Sequence, residues 1–334
     1  MKVVDLFAGA GGASLGIQAA GCEHLACVEW DEDASATLKA SGFPVVFGDV
    51  RDLSLVEGLA PDLVWSSFPC TPWSTGGKRE RARDPQGRDG WPWTVNMLEF
   101  LAPRWFIAEN VEGLTQHRGA CARGCRGIAG RCAAAYLDRE ILQHLRSRFD
   151  RVDHRVLDAA DYGVPQHRRR LIVVAGPSSI DFPEPTHARV TAQCDLFGRN
   201  PIPWATVGDT LGLEGIMHTG GEDYRDRDDR KTRERPAPTS EPSPTVGSRG
   251  NAMVTDRVDG RRGLTPAECA ALQGFPADHP WQGNPTSVYT QIGNAVPPAL
   301  AEAVVRAVLA ADNSETLGDL SQSSDDLEVR GNQR

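Results

Sequence analysis

Short apolar runs recur along the first half of the chain, separated by stretches with helical spacing. Residues 2–6 read as a buried strand, and further strand candidates stand at 25–29, 45–47, 62–66, 104–109 and 170–175. Helical stretches lie between them: one through Leu15, Ile17 and Ala20, then 32–40, 94–102 and 134–148. Strand–helix alternation of this kind predicts a doubly wound α/β sheet, in which ligands sit past the carboxyl ends of the strands. Gly9-Ala10-Gly11-Gly12, Glu29, Asp49, Cys70 and Glu109 all fall at or just after predicted strand ends. The fold reading and the site reading therefore agree.

The pattern changes after Gly176. Residues 177–263 are rich in Pro, Gly, Arg, Asp and Thr, with Pro236, Pro238, Pro242 and Pro244 closely spaced. So many breakers with so little periodicity predict a second, smaller, loop-rich domain of short strands. Helical spacing returns at 265–273 and 295–310, in helices expected to pack back onto the large domain. The expected organisation is a large domain from 1–176 plus 264–311, a second domain at 177–263, and a disordered acidic tail at 312–334.

Composition narrows the class. Apolar residues are 40% of 334, enough for a sizeable core, and no uninterrupted apolar run is long enough to suggest a membrane span. Met1-Lys2, ahead of the first strand, is too short for a secretory signal. Eight unevenly scattered cysteines argue for free thiols in a reducing, cytoplasmic setting. No heptads or large apolar stripes call for an oligomer, so a monomer is expected. Net charge is −9, which looks wrong for a nucleic-acid binder, but the tail after Ala311 holds six acids against two arginines. Lys78, Arg79, Arg81, Arg83 and Arg88 crowd one segment, and His167, Arg168, Arg169 and Arg170 another. Basic strips on an acidic protein suit phosphate contact at one face; solvated loops with ordinary surface arginines give the same pattern.

Phe68-Pro69-Cys70-Thr71-Pro72-Trp73-Ser74 sets a thiol between two prolines, just after the apolar run Leu63-Val64-Trp65. Glu109-Asn110-Val111 follows, then Gln166-x-Arg168-x-Arg170, whose alternation puts three side chains on one face of an extended segment. A thiol, a carboxyl and two guanidiniums suit attack on an electron-poor pyrimidine. The thiolate adds to the ring, the acid polarises a ring nitrogen, and the arginines hold oxygen or phosphate. A small buried hydrophobe or plain surface position is reading enough for Cys22, Cys27, Cys194 and Cys269; Cys70 differs because prolines stiffen its loop beside a strand end.

Taken in order over roughly residues 1 to 310, these segments resemble the DNA (cytosine-5)-methyltransferase family. Asp5 to Gly12 is similar to its first cofactor motif, and Glu29-Trp30-Asp31 and Asp49 to its second and third. Phe68 to Ser74 resembles the nucleophile motif, Glu109 to Val111 the acid motif, and Gln166 to Arg170 the arginine motif. Leu264-Thr265-Pro266 with Leu272 to Pro276, and then Gly293 to Pro298, resemble the last two. The resemblance implies a Rossmann-like S-adenosylmethionine-dependent methyltransferase domain, with target recognition in the second domain and double-stranded DNA as substrate.

The resemblance also implies that Phe7 stacks on the adenine, Glu29 takes both ribose hydroxyls, Trp30 covers the other adenine face and Asp49 accepts from the adenine amino group. Asp5, Gly9, Gly11, Gly12, Val50, Pro69, Asn294 and Val296 complete that pocket. The turn's own chemistry fits a cofactor without a phosphate to cradle. It lacks the lysine of a phosphate loop, and Gly9-x-Gly11 is followed by Ser14 where the dinucleotide fingerprint has glycine. Read alone, Glu29 could equally be an acid favoured by a helix N-terminus.

Cys70 is the expected nucleophile, with Arg168 as the cation that favours its thiolate. Glu109 would hold or protonate ring nitrogen 3, Arg170 would bind the ring carbonyl oxygen, and Asn110 would orient the strand end and the Pro69-Cys70 loop. The base that removes the carbon-5 proton is not identified. The target carbon is hidden in a duplex, so the base must leave the stack; methyltransferases are a named example of base flipping. The Gly-rich, basic run Thr75 to Gly90 reads as a mobile loop closing over the flipped nucleotide, with Ser74, Lys78, Arg79, Arg81 and Gln166 as DNA contacts.

Thr71 stands where the family usually has glutamine, which weakens carry-over of that side chain's contacts. The short recognition region predicts a short target site. His117, Cys121, Cys125 and Cys132 could supply four zinc ligands, or form an ordinary insertion without metal. The resulting expectation is a bacterial or phage DNA cytosine carbon-5 methyltransferase, in functional partnership with a restriction endonuclease or as an orphan. The rivals are the same chemistry on RNA (a tRNA-directed relative) and a catalytically silent DNA-binding regulator.

Overall fold

Val3, Val4 and Leu6 are fully buried although successive side chains point to opposite sides, as a strand covered on both faces requires. They form β1 (Lys2–Leu6), the third strand of a seven-stranded sheet in this computed structural model. The structure describes residues 1–69, 89–116, 132–189, 201–219, 237–248, 252–256 and 260–331. After β1 come α1 (Gly12–Ala19), β2 (Glu23–Glu29), α2 (Glu32–Ala40), β3 (Val45–Phe47), β4 (Leu63–Ser66), α3 (Trp91–Leu101) and β5 (Trp105–Val111). Next are α4 (Ala133–Tyr136) and α5 (Gln143–Arg146), joined by a π-helical turn, then β6 (Arg151–Asp158) and β7 (Arg169–Gly176).

The sheet order is β3-β2-β1-β4-β5-β7-β6. The first five strands are parallel, and β7 runs antiparallel to β5 and to β6. Each strand feeds two layers. Val4, Leu6, Val64 and Phe106 face Met97 and Leu98 of α3 and Ile141 and Leu145 near α5. Val3, Leu63, Trp65 and Ile107 face Ile17 of α1 and Leu300, Val304 and Val308 of the last helix. The anticipated strands are present, but β6 was not anticipated. It is a sheet edge whose residues are mostly only half-buried, so it lacks the apolar run that marks its neighbours.

The second region holds β8 (His187–Ala188), β9 (Ile202–Pro203), α6 (Val207–Leu211), β10 (Gly215–Thr219), β11 (Ala237–Pro238), β12 (Ala252–Asp256) and β13 (Gly260–Gly263). Four of these strands form an antiparallel sheet in the order β11-β10-β12-β13. Then follow α7 (Pro266–Leu272), α8 (Pro285–Asn294) and α9 (Pro298–Gly331). Met217, Val246 and Val254 share one core with Leu272 of α7 and Val288 and Ile292 of α8. These two helices thus share a core with the second region. The helix expected from 295 is α9, offset by the Pro297-Pro298 break.

Two features of α8 and α9 bear on expectation. A stretch within Pro285–Glu315 is long and apolar enough by composition to cross a membrane, but 56% of that window is buried inside the protein, where it covers the sheet. Helix α9 also continues past Ala311 into the segment expected to be a disordered tail. Arg104 pairs with Asp312 at 2.9 Å and with Glu315 at 2.7 Å, and Trp105 Nε1 donates to Asp312 Oδ1 at 2.8 Å, which anchors this extension at its start.

Candidate active site

The chain turns sharply where β1 ends. Phe7, Gly9 and Gly11 adopt φ of 58°, 57° and 90°, the left-handed region that costs a non-glycine residue such as Phe7 backbone strain. A Cβ on Gly12 would lie 2.2 Å from the Val296 carbonyl oxygen, so the missing side chain lets the first and last motifs meet. Glu29, at the end of β2, closes the turn: Gly9 N–H donates to Oε2 at 2.7 Å, and Trp30 and Asp31 N–H donate to Oε1 at 2.9 and 2.8 Å. Burial raises the Glu29 pKa, and these three bonds pull it back. The cap of α2 is Asp31, which accepts from Ala34 N–H, so the helix-start role considered for Glu29 belongs to its neighbour.

Trp30 leaves 67% of its surface exposed at the rim. Asp49 accepts from the Arg51 side chain and backbone, which holds its carboxyl below the usual range. Val50 and Val296 are buried, and Asn294 is exposed at the end of α8. Asp5 is fully buried beneath the turn and accepts from Ser14 Oγ at 2.6 Å; burial pushes its pKa to about 7. Its other oxygen, Oδ1, is buried with no hydrogen-bond partner among the described residues. The left-handed turn, the carboxylate at its mouth and the exposed indole fit a cofactor with an amino-acid end, a diol and a flat base.

The catalytic motifs converge at the ends of β4 and β5. Asn110 Nδ2 donates to the Phe68 carbonyl at 3.0 Å while its Oδ1 accepts from Val111 N–H at 2.8 Å. The side chain therefore pins the chain two residues before Cys70, as expected of it. Beside it, Arg170 Nε lies 2.9 Å from Glu109 Oε1. Burial raises the Glu109 pKa, opposed first by Arg170 and then by Arg168. Arg168 is fully buried, donates from Nη1 to Val246 O at 3.3 Å and from Nη2 to Gly293 O at 2.8 Å, and keeps a buried Nε with no partner among the described residues. Cys70, Ser74, Lys78, Arg79 and Arg81 lie outside the described residues, as do Arg83 and Arg88 of the basic segment and His117, Cys121 and Cys125 of the zinc candidate. Cys132 is described and is buried at the start of α4.

Two expectations need correction. Gln166 was expected at the DNA, but it is fully buried: its Nε2 donates to Leu272 O at 3.2 Å and Gln273 Oε1 at 2.6 Å, and Val246 N–H donates to its Oε1 at 2.9 Å. It joins the second region to α7. The cluster at 167–170 is likewise no free basic strip. His167 meets Asp158 at 3.0 Å, Arg169 meets Glu112 at 3.0 Å, and Arg170 meets Glu109. Three of the four side chains thus meet a carboxylate, and Arg168 meets backbone carbonyls. Sequence reasoning also passed over His279, whose Nε2 sits 3.1 Å from the Ala10 carbonyl oxygen in the cofactor turn. A lone histidine in a loop carries no motif that would single it out.

Comparison with known proteins agrees with this geometry. The family described as C-5 cytosine-specific DNA methylase matches residues 1–193 and 204–310. The type II methyltransferase M.NaeI of Lentzea aerocolonigenes is 32% identical over 340 residues, covering 95% of this chain and 77% of its own length. The type II methyltransferase M1.HphI of Haemophilus parahaemolyticus is 30% identical, covering 94% of this chain and 88% of its own. Among solved structures, the S. pombe Dnmt2 methyltransferase superposes with a TM-score of 0.64 at 15% identity, covering 94% of this chain and 99% of its own. That last likeness is one of fold.

Proposed function

The chain belongs to the C-5 cytosine-specific DNA methylase family, and from that premise we propose that it methylates carbon 5 of a flipped-out cytosine in a short DNA site through a covalent Cys70 adduct. The observation that carries this reading is the buried Glu109–Arg170 pair, set beside the Asn110 bond that holds the approach to Cys70.

The proposed cofactor is S-adenosylmethionine, which when bound supplies an electrophilic methyl group. Phe7, Gly9, Glu29, Trp30, Asp49, Val50, Pro69, Asn294 and Val296 would hold it, the Glu29 carboxylate offering acceptors to a diol. The chain's own residues do the rest. Cys70 thiolate adds to ring carbon 6, forming a carbon–sulfur bond and moving the ring's double-bond electrons toward carbon 5. Glu109, kept protonatable by burial, donates to ring nitrogen 3 and draws those electrons through the ring. Arg170, oriented by Glu109, donates to the ring carbonyl oxygen. After methylation the carbon-5 proton leaves to a base, the carbon–sulfur bond breaks to restore the double bond and the thiolate, and the nitrogen-3 proton returns to Glu109. Arg168 is the cation proposed to favour that thiolate, and its buried Nε has no partner among the described residues.

The second region, held to the catalytic strand by Gln166 and Arg168, is proposed to read the DNA target. A restriction–modification setting is proposed from the type II relatives. The test is covalent trapping on duplex DNA carrying 5-fluorocytosine, whose fluorine blocks the final proton loss. The intact protein should form an adduct stable to denaturation when S-adenosylmethionine is present. Cys70→Ala should bind DNA without trapping; an adduct in that variant would place the nucleophile elsewhere.

A further inference from the structure

One loop behind the cofactor pocket touches both of its walls. The turn at Ala8 to Gly12 needs outside support, because Phe7, Gly9 and Gly11 all hold left-handed φ. Gly9 N–H is held by Glu29, and the Ala10 carbonyl meets His279. Ala10 is 1% exposed, so its carbonyl depends on a protein donor, and leaving a buried acceptor unmatched is unfavourable. His279 Nε2 meets that oxygen at 3.1 Å. The imidazole is itself fixed: its ring lies 4.8 Å from Phe275 and 4.4 Å from Trp281, in tilted and edge-on packing. Burial lowers its pKa, so near neutral pH it is uncharged, and donation to a carbonyl then requires its proton on Nε2.

Three residues further on, the same loop grips α2, the helix that begins just after Glu29-Trp30. Gln282 N–H donates to Thr37 Oγ1 at 2.9 Å, Thr37 Oγ1 donates to Gln291 Oε1 at 2.8 Å, and Gln291 Nε2 donates back to Gln282 O at 2.9 Å. This closed ring ties the loop and α8 to the element behind the ribose-side wall. A Cβ on Gly283 would lie 2.4 Å from the Asp33 carboxylate, so the missing side chain permits the close approach.

We propose that His279 is a positioning residue for S-adenosylmethionine, holding the Ala10 carbonyl and thereby the shape of the turn that receives the cofactor. This rests on the cofactor reading of the pocket. His279 touches the turn's backbone and acts through it.

The experiment is S-adenosylmethionine titration by calorimetry on the full chain, with His279→Ala and His279→Gln beside the unaltered protein. Glutamine carries an Nε2 amide that reaches about as far as the histidine Nε2. His279→Ala should weaken binding about tenfold, the equivalent of about 1.4 kcal/mol. His279→Gln should recover most of that, while kcat at saturating cofactor and KM for DNA stay near their original values in both. A role confined to stability would lower the fraction of folded protein and kcat together, without moving the affinity of what remains folded. His279→Leu fills the space without a donor and serves if the alanine variant does not fold. Unaltered affinity in the Ala or Leu variant, or a Gln variant as weak as Ala, overturns the inference. Absence of binding by the unaltered protein overturns the cofactor reading and this inference with it.

Discussion

Arg170 Nε donates to Glu109 Oε1 at 2.9 Å, and the two side chains keep only 12% and 10% of their exposure. In the proposed mechanism the pair gives one carboxyl two tasks: to stay protonatable for a ring nitrogen and to keep the guanidinium aimed at the ring oxygen. Burial pushes the carboxyl up and Arg170 pulls it down, with burial prevailing.

Arg170→Ala should therefore move the alkaline fall of activity to higher pH. Glu109 is active as the acid, so activity declines as pH rises through its pKa, and removing the cation raises that pKa further. The rate at the optimum should also drop, on the order of 10²–10³-fold, as for loss of one donor to a developing charge. Single-turnover methylation across pH reports both effects. A lower rate with an unmoved alkaline limb would detach Glu109 from the acid role.

Asn110→Ala should loosen the approach to the nucleophile. The lost bond to Phe68 O is buried and costs about 1–2 kcal/mol of stability. The rate should fall about 10²-fold through misplacement of Cys70, with KM for S-adenosylmethionine little changed. Asn110→Asp keeps the acceptor for Val111 N–H but loses the donor, and should resemble alanine in rate. An aspartate variant with full activity would show that the Phe68 bond is dispensable.

Two glycines in one turn should respond differently to alanine. Gly9 has no heavy atom within 4 Å of an added Cβ, so Gly9→Ala meets only its left-handed backbone, roughly 1–2 kcal/mol. At Gly12 the Cβ meets the Val296 carbonyl at 2.2 Å, and separating the first motif from the last should cost roughly 3 kcal/mol. Urea midpoints measure both. Equal losses would mean that the 293–298 segment yields freely.

Asp5 gives the protein a pH-dependent stability with a definite sign. Its folded pKa of about 7 stands above the ordinary 3.8, so the folded state holds the proton more tightly than the unfolded chain. That contribution is complete below about pH 4 and is lost as pH rises through about 7, by about 4 kcal/mol at most. Asp5→Asn still accepts from Ser14 Oγ but cannot ionise. Urea unfolding at pH 8 should find it more stable than the original, and at pH 4 little different. Parallel curves at both values would contradict the buried titration.

The parts of this protein legible in sequence are those where local chemistry and global position coincide. β1, β2, β4 and β5 are central strands marked by short apolar runs, and Asn110, expected to orient the end of its strand, bonds the Phe68 carbonyl. The illegible parts depend on burial or on distant partners. Gln166 sits in a motif expected at the DNA, and nothing local reveals that Gln273 and Val246 consume its amide. The acidic composition after Ala311 suggests disorder because the partner, Arg104, stands about 200 residues earlier. His279 reaches Ala10 across a separation of 269 residues.

The central claim is cytosine methylation of DNA at one site through Cys70. The measurement closest to it is bisulfite sequencing of DNA from a methylation-free bacterial host that expresses the protein, with Cys70→Ala as control. The account predicts protected cytosines confined to one short motif and absent from the control. Unprotected DNA in cells containing well-folded protein, or protection that persists in the Cys70 variant, would contradict it.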